Sequence, residues 1–538
     1  MKLTRREFLA ASATLAAGAA VCGFASHPPP RRFTGKILGA GAKTGHLLRD
    51  GGIPPPSLND RTGVVIVGGG IAGLAAARAM KQRGFDDFQI LELEEQAGGN
   101  STSGRNAVSS YPWGAHYVPL ANPENRDLLK LFEELGVITG HDAAGLPVYD
   151  EYFLCADPHE RLYIHGRWQE GLVPQVGTTS RDQEQYRDFF STMENYRRAK
   201  GRDGRPAFAI PLDTSSHDPE FIQLDSISME EFLRQHGWDS EPLRWYVNYC
   251  CRDDYGATMG ETSAWAGVHY FASRRGLAAN ANSQTVVTWP EGNGWIVNRF
   301  RQTVDAHVRP SCLAANIEQD GRGVLVDYYD VVKKQTVRVT ARAVIFCAPR
   351  FVAAKVIRDL REKSGTADAF TYSPWAVANI TLKSRPAGRG ADLSWDNVMY
   401  SSDSLGYVLA TNQSLESHPH EAVITWYQPL SDKPPREARM DALATSYDTW
   451  ANRVVRDLER AHPGIAEEIM QLDVWLWGHG MIRPTPGFIW GKARQDALKP
   501  SGNVFFAHSD TSGISIFEEA YARGIAAAKQ VLDHLKHS

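Results

Sequence analysis

A mixed α/β fold is predicted by three features of the 538-residue chain. The apolar run Val64-Val65-Ile66-Val67 leads directly into Gly68-Gly69-Gly70-Ile71-Ala72-Gly73. Residues from about 180 to 275 carry helical periodicity, and residues from about 305 to 348 read as β-strands. The first feature is Rossmann-like: a short buried strand, a glycine turn, an Ala-rich helix from Leu74 to Arg83 that ends at Gly84, and a second strand, Phe88 to Glu92. Within the helical region, amphipathic stretches fall at Met229–Gln235 and Leu243–Tyr249. The β region divides into Gly323–Tyr329, a hairpin near Lys333-Lys334-Gln335, and Val337–Cys347. Residues 437 to 471 read as helical again, and the chain closes with strand Val504–Ala507 and a helix from about Phe517 to Leu535.

Composition excludes little and bounds the rest. Apolar residues make up 43% and charged residues 22%, as in a soluble globular enzyme. A net charge of -4 gives no basis for a nucleic-acid partner. The six cysteines are too scattered for a disulfide scaffold, no metal-ligand spacing occurs, and adjacent Cys250 and Cys251 read as buried thiols.

The N-terminus reads as an address. Thr4-Arg5-Arg6-Glu7-Phe8-Leu9 matches the twin-arginine export pattern, and the uncharged run Ala10–Ala25 is too short and too rich in Ala and Gly for a membrane span. The expectation is export of a folded protein to the periplasm by the twin-arginine machinery, with lipid anchoring through Cys22 as the lesser alternative. Residues 26–62, with Pro28-Pro29-Pro30 and Pro54-Pro55-Pro56, read as an extended linker or arm.

The glycine motif implies a dinucleotide. Gly68 permits the tight turn, Gly70 lets the backbone approach a pyrophosphate, and Gly73 allows close helix–strand packing. The helix N-terminus offers free N–H groups to phosphate. Glu92 ends the second strand, where a carboxylate accepts hydrogen bonds from ribose hydroxyls. NAD and FAD share this unit, so a further feature must separate them.

That feature is Gly98-Gly99-Asn100, which follows Glu92 after five intervening residues. Here the chain resembles the flavin amine oxidase superfamily, which includes monoamine and polyamine oxidases, phytoene desaturases and protoporphyrinogen oxidases. Asn100 stands where that family usually has Arg, so as a cofactor-binding residue it makes a shorter phosphate contact, or Ser101, Ser103 or Arg105 supplies that contact. The resemblance continues through Trp113-Gly114-Ala115-His116-Tyr117, Trp289-Pro290-Glu291-Gly292-Asn293-Gly294-Trp295 and Ala343–Pro349. It closes with Phe505–Asp510 and Ile516–Gly524.

The resemblance implies an FAD enzyme with an interleaved substrate domain. FAD-binding segments fall at 63–150, 286–365 and 496–538, and substrate-domain segments at 151–285 and 366–495, after a 1–25 signal. It implies that Asp510 serves the pyrophosphate–ribityl region, that Phe517 donates its N–H near flavin O2, and that the backbone near Leu313–Ala315 holds adenine. It also implies an active-site Lys, whose position here falls on Ala378 or Asn379, and an aromatic cage. Where the cage is expected stand His479-Gly480 and Ser515-Ile516, so the cage is absent or rebuilt from Trp475, Trp477 or Tyr255.

The candidate catalytic residues are therefore His479 and Asn379. Near flavin, His479 would serve as base, as hydrogen-bond partner to the ring, as a covalent attachment point or as a turn cap; Arg483 would pair a substrate carboxylate or a protein one. His116 reads as packing against the ring edge. Tyr246–Gly256 reads either as cavity lining or as a helix C-terminus with a charged exit. The expected reaction is oxidation of a small-molecule amine or amino acid, with oxygen, a quinone or a cytochrome as electron acceptor. The alternatives are dehydrogenation, desaturation or isomerisation of a hydrophobic non-amine, and an FAD-bearing periplasmic binding or assembly protein.

Overall fold

The computed structural model describes residues 33–39, 41–321, 323–361, 368–415 and 420–537. The expected export signal lies outside the described residues.

Two large sheets organise the chain. The first runs, in spatial order, Val308–Arg309, Phe88–Leu91, Leu58–Val67, Gln335–Phe346, Val324–Asp330 and Cys312–Gln319. Its centre is parallel: Val64–Val67 lies beside Phe88–Leu91 on one side and Ala343–Phe346 on the other. These residues form one continuous apolar run because both faces are covered by helices and side chains. Val64, Val65 and Ile66 are fully buried.

Strand Gln335–Phe346 changes partner along one edge. Its first half pairs antiparallel with Val324–Asp330, and its last residues pair in parallel with Val504–Phe506. The C-terminal strand thereby enters the sheet next to the glycine turn, although it lies more than 400 residues away in sequence.

Helix Ile71–Gln82 packs under this sheet and against the C-terminal helix Phe517–His537. The contact requires glycine: a Cβ on Gly524 would lie 2.2 Å from the Ala72 carbonyl oxygen. With backbones this close, the Ala-rich face of the first helix buries nearly all of its small side chains.

The second sheet has eight strands, in the order Ile37–Gly39, Ile469–Ile482, Tyr372–Leu382, Ala422–Pro429, Tyr407–Leu409, Asp396–Met399, Glu160–Ile164 and Arg167–Glu170. A helical group that includes Ser180–Arg198, Met229–Gln235, Glu241–Tyr255 and Ala264–Ala272 packs around a core of its own.

Two expectations need correction. The 26–62 arm is more ordered than a linker: Leu58–Thr62 begins the central strand, and Ile37–Gly39 adds a parallel edge strand to the second sheet. The composition hid this because the paired residues are mostly exposed and show no apolar alternation. The helical reading of 437–471 runs too far, since a strand begins at Ile469 after helices Pro435–Ala444, Tyr447–Glu459 and Ile465–Glu468.

Candidate active site

Two glycine turns meet backbone to backbone at the end of the central strand. Gly68 has φ +102°, and a Cβ there would press on the Cys347 carbonyl at 3.0 Å. A Cβ on Gly73 would lie 1.9 Å from the Gly68 oxygen, so helix and turn approach as the motif requires. Gly98 donates to the Gly69 carbonyl at 2.9 Å, and a Cβ on Gly99 would come within 3.1 Å of Gly70 Cα. Gly70 is the N-cap of helix Ile71–Gln82 and no side chain caps it. The first N–H groups of that helix are left for a phosphate.

Glu92 stands beside this cradle, 7% exposed. It accepts from the Gly69 N–H at 2.7 Å and from the Glu94 N–H at 2.8 Å. Burial pushes its carboxyl up to about 7 despite those bonds. Each oxygen keeps a lone pair, and two ribose hydroxyls are the donors that fit. The Cys312 N–H donates to the Glu92 carbonyl at 2.7 Å, which sets strand Cys312–Gln319 alongside, where the adenine contact was expected.

Asp510 is 1% exposed. Its Oδ2 accepts from the Arg350 N–H and the Tyr372 hydroxyl, both at 2.6 Å. His508 Nδ1 lies 3.1 Å from the Asp510 N–H and 3.0 Å from Oδ1: accepting from the backbone N–H it leaves Oδ1 without a hydrogen-bond donor, and as imidazolium it pairs with that oxygen. Burial pushes the Asp510 carboxyl up, but His508, Tyr372 and Arg350 outweigh it and hold the group below the usual range. A buried carboxylate oxygen without a donor is an incomplete site, and a cofactor hydroxyl completes it. Glycine cradle, uncapped helix, Glu92 and Asp510 fit a dinucleotide carrying ribose and ribityl hydroxyls.

Asn100 bridges the two sheets. Its side-chain amide donates to the Gly480 carbonyl, and its own carbonyl accepts from Ala115 at 2.8 Å. Where Asn100 was expected to make a short phosphate contact, its amide fixes strand Ile469–Ile482 to the glycine turn. Asn100 also lines a cavity that lies between the sheets.

This cavity has a polar end and an aromatic body. Gly114, Ala115 and His116 form one side, and Ser515, Ile516 and Phe517 bring in the start of the C-terminal helix. His116 stacks on Tyr427 with centroids 4.6 Å apart, and its Nδ1 lies 3.1 Å from the Gly114 carbonyl. Burial pushes this imidazole down to about 4, so it is neutral at physiological pH. Trp375, Trp477, Tyr249, Tyr117 and Tyr407 add to the aromatic lining.

Four carboxylates line the same cavity: Asp253, Asp254, Asp396 and Glu518. Asp254 is neutralised by Arg274, which reaches its two oxygens at 2.7 and 2.9 Å. Burial and the neighbouring Asp254 push Asp253 up to about 7, and burial pushes Glu518 there too. Asp396 rises well above the carboxylate range through burial and the charges of Asp253 and Glu160. Helix Glu241–Tyr255 delivers Tyr249, Asp253 and Asp254 from its last turns and stops at Gly256 in the left-handed region. Both readings of Tyr246–Gly256 thus hold at once.

Neither residue expected to be catalytic lines the cavity. Strand Ile469–Ile482 slips register between the Trp375–Trp477 and Ser373–Met481 pairs, which leaves extra residues around Gly478-His479-Gly480. The bulge turns His479 onto Phe351, stacked at 4.2 Å, while Trp477, Gly480 and Met481 line the cavity. Burial lowers His479 to about 4.

Asn379 is 4% exposed and fully engaged: Nδ2 donates to the Pro112 carbonyl at 2.9 Å, and Oδ1 accepts from Thr425 at 2.6 Å. Val377 takes the cavity position on that strand, and Ala378 points into the core of the other face. Arg483 forms an ion pair with Glu261. Of the residues considered for a rebuilt cage, Trp477 lines the cavity, Trp475 stands behind it at 5.3 Å, and Tyr255 is core, bonded to the Ala266 carbonyl. Sequence reading assigned no role to Asp396, Glu518 or Tyr427: Glu518 sits within the C-terminal motif Ile516–Gly524, and no local motif marks the other two.

Comparison with known proteins agrees with this geometry. A family model described as flavin containing amine oxidoreductase matches residues 71–532. Amine oxidase [flavin-containing] B of Bos taurus is 23% identical over 494 residues, covering 88% of this chain and 87% of that one. Among solved structures, a wild-type putrescine oxidase bound to putrescine superposes with TM-score 0.64 at 15% identity, over 88% of this chain and 100% of that one. Cyclohexylamine oxidase from Brevibacterium oxydans IH-35A gives TM-score 0.62 at 14% identity, over 88% and 99%. The chain belongs to the flavin containing amine oxidoreductase family and is an FAD-dependent oxidoreductase.

Proposed function

We propose that this enzyme oxidises a cationic amine at the carbon bearing nitrogen. The observation that carries the reading is the acidic lining of the cavity. Among the described residues, Asp253, Asp396 and Glu518 line it without a cationic partner within salt-bridge distance, and the arginine that lines it, Arg274, is already paired with Asp254. An ammonium group is attracted to such a site. An amino acid's carboxylate is not, and no free arginine lines the cavity to receive it. The names of the similar proteins, amine oxidase B and putrescine oxidase, support the same class.

Bound FAD supplies the hydride acceptor. The chain's own residues do the rest. Tyr427, His116 and Trp477 enclose the substrate's apolar body and exclude water. Glu518, at the first turn of the C-terminal helix, takes the ammonium proton, because the nitrogen lone pair must be free before hydride leaves its carbon. Loss of that proton and of a hydride converts the amine to an iminium ion, which water hydrolyses to a carbonyl compound and ammonia or a shorter amine.

Oxygen, a quinone or a cytochrome takes the electrons. Arg5-Arg6 and the run that follows support export of the loaded protein to the periplasm. The test is product analysis after one anaerobic turnover with a panel of primary amines. One carbonyl product per reduced flavin is expected, and flavin reduction with no carbonyl product would overturn the reading.

A further inference from the structure

One guanidinium beside the cofactor seat has no acceptor. Arg350 opens the short helix Arg350–Val356 that follows strand Gln335–Phe346. Its backbone N–H donates to Asp510 Oδ2. Just before it, Cys347 and Ala348 abut the glycine turn: a Cβ on Gly68 would lie 3.0 Å from the Cys347 oxygen and 3.3 Å from the Ala348 nitrogen. Arg350 therefore stands between the two anchors of the dinucleotide, the glycine turn and Asp510. It is 9% exposed, yet its guanidinium makes no hydrogen bond or ion pair among the described residues, and Nη1 is buried without a partner. The guanidinium carbon lies 4.4 Å from the Phe506 ring centroid. Phe506, Phe346 and Val67 are paired at the C-terminal ends of three parallel strands, the edge at which such sheets receive dinucleotides.

We infer that Arg350 is the cation that binds the phosphate groups of FAD, reaching them from a segment some 250 residues beyond the glycine turn. Asn100 does not fill that role, because it carries no charge and its amide is committed to the Gly480 carbonyl. A buried guanidinium without an acceptor is costly until an anion meets it. The Phe506 ring holds the planar group in place but accepts no hydrogen bond of ordinary strength. Asp510 and Tyr372 are the groups whose charge acts on Arg350, but Asp510 Oδ2 is already taken by the Arg350 N–H and the Tyr372 hydroxyl. A substrate carboxylate is the poorer anion, since Arg350 does not line the cavity between the sheets. A pyrophosphate supplies several acceptors and fits the fork geometry of a guanidinium. The assignment does not depend on which substrate is oxidised.

The experiment uses the holoenzyme as wild type, Arg350→Gln and Arg350→Lys. It reads FAD release by flavin fluorescence after dilution, and the phosphorus NMR spectrum of the bound cofactor. Arg350→Gln should release FAD about tenfold to a hundredfold faster than wild type, with Arg350→Lys between the two. Both substitutions should move the phosphorus resonances of bound FAD. Release from Arg350→Gln within about threefold of wild type overturns the assignment. Faster release with unmoved phosphorus resonances also overturns it, and leaves Arg350 as a support for Asp510 alone. If Arg350→Gln retains no FAD, Arg350→Lys decides, because it keeps the charge and loses the fork. It should then hold FAD with shifted resonances; wild-type resonances, or loss of FAD from this variant too, overturn the inference.

Discussion

The side-chain amide of Asn100 donates to the carbonyl of Gly480, joining the glycine turn of one sheet to the bulged strand of the other. This bond crosses the cavity wall, so it couples cofactor seat to substrate wall. Asn100→Ala removes one buried hydrogen bond and leaves the Gly480 carbonyl without that donor. The expected loss is about 1 kcal/mol of stability. The flavin should also become more mobile, read as a weaker visible circular-dichroism band. Unchanged stability and spectrum would show that the bond is incidental.

Glu92 holds the cradle through two N–H bonds to Gly69 and Glu94. In Glu92→Gln one of those N–H donors faces an NH2 group, whichever way the amide turns. FAD should bind about tenfold to a hundredfold more weakly, by fluorescence titration of the apoprotein. Affinity within about threefold of wild type would place the ribose elsewhere.

His479 stacks on Phe351 away from the cavity lining. His479→Phe preserves the stack and removes any proton chemistry. Flavin reduction should stay within about threefold of wild type, whereas loss of a general base lowers rate by about a hundredfold or more. A drop of that size in stopped-flow reduction would return His479 to the mechanism.

The parts legible in the sequence are those whose chemistry is local. Gly68, Gly70, Gly73 and Glu92 sit within one βαβ unit, so spacing alone predicted their geometry. Asp510 and Phe517 follow a strand closely and were placed by resemblance. The cavity is assembled from distant segments, and its acidic members Asp396 and Glu518 look ordinary in isolation. His479 and Asn379 lie off the cavity lining, which the sequence could not show for two reasons. A bulge reverses a side chain without any sequence mark except flanking glycines, and a buried polar residue on a strand resembles a catalytic one until its partners are known.

Substrate affinity should depend on pH through the cavity carboxylates. Burial, with Asp254 beside Asp253, lifts Asp253 and Glu518 to about 7. The groups facing them are Asp254, Glu160, Glu519 and the Arg274 cation. Below about pH 7 the empty site holds protons; a cation binds the ionised form and displaces them. Affinity should therefore tighten from about pH 6 to about pH 8, until the amine itself deprotonates near pH 10. Apparent Kd values from flavin reduction across that range check the sign. A flat profile would mean that these carboxylates are already ionised or do not meet the substrate.

The central claim is that this cavity delivers an amine, not an amino acid, to FAD. Anaerobic titration of the holoenzyme with matched primary amines and their α-carboxylated counterparts, followed by loss of flavin absorbance, tests it most directly. The account predicts bleaching by the amines and little or none by the amino acids. Bleaching by amino acids in preference to amines would contradict it.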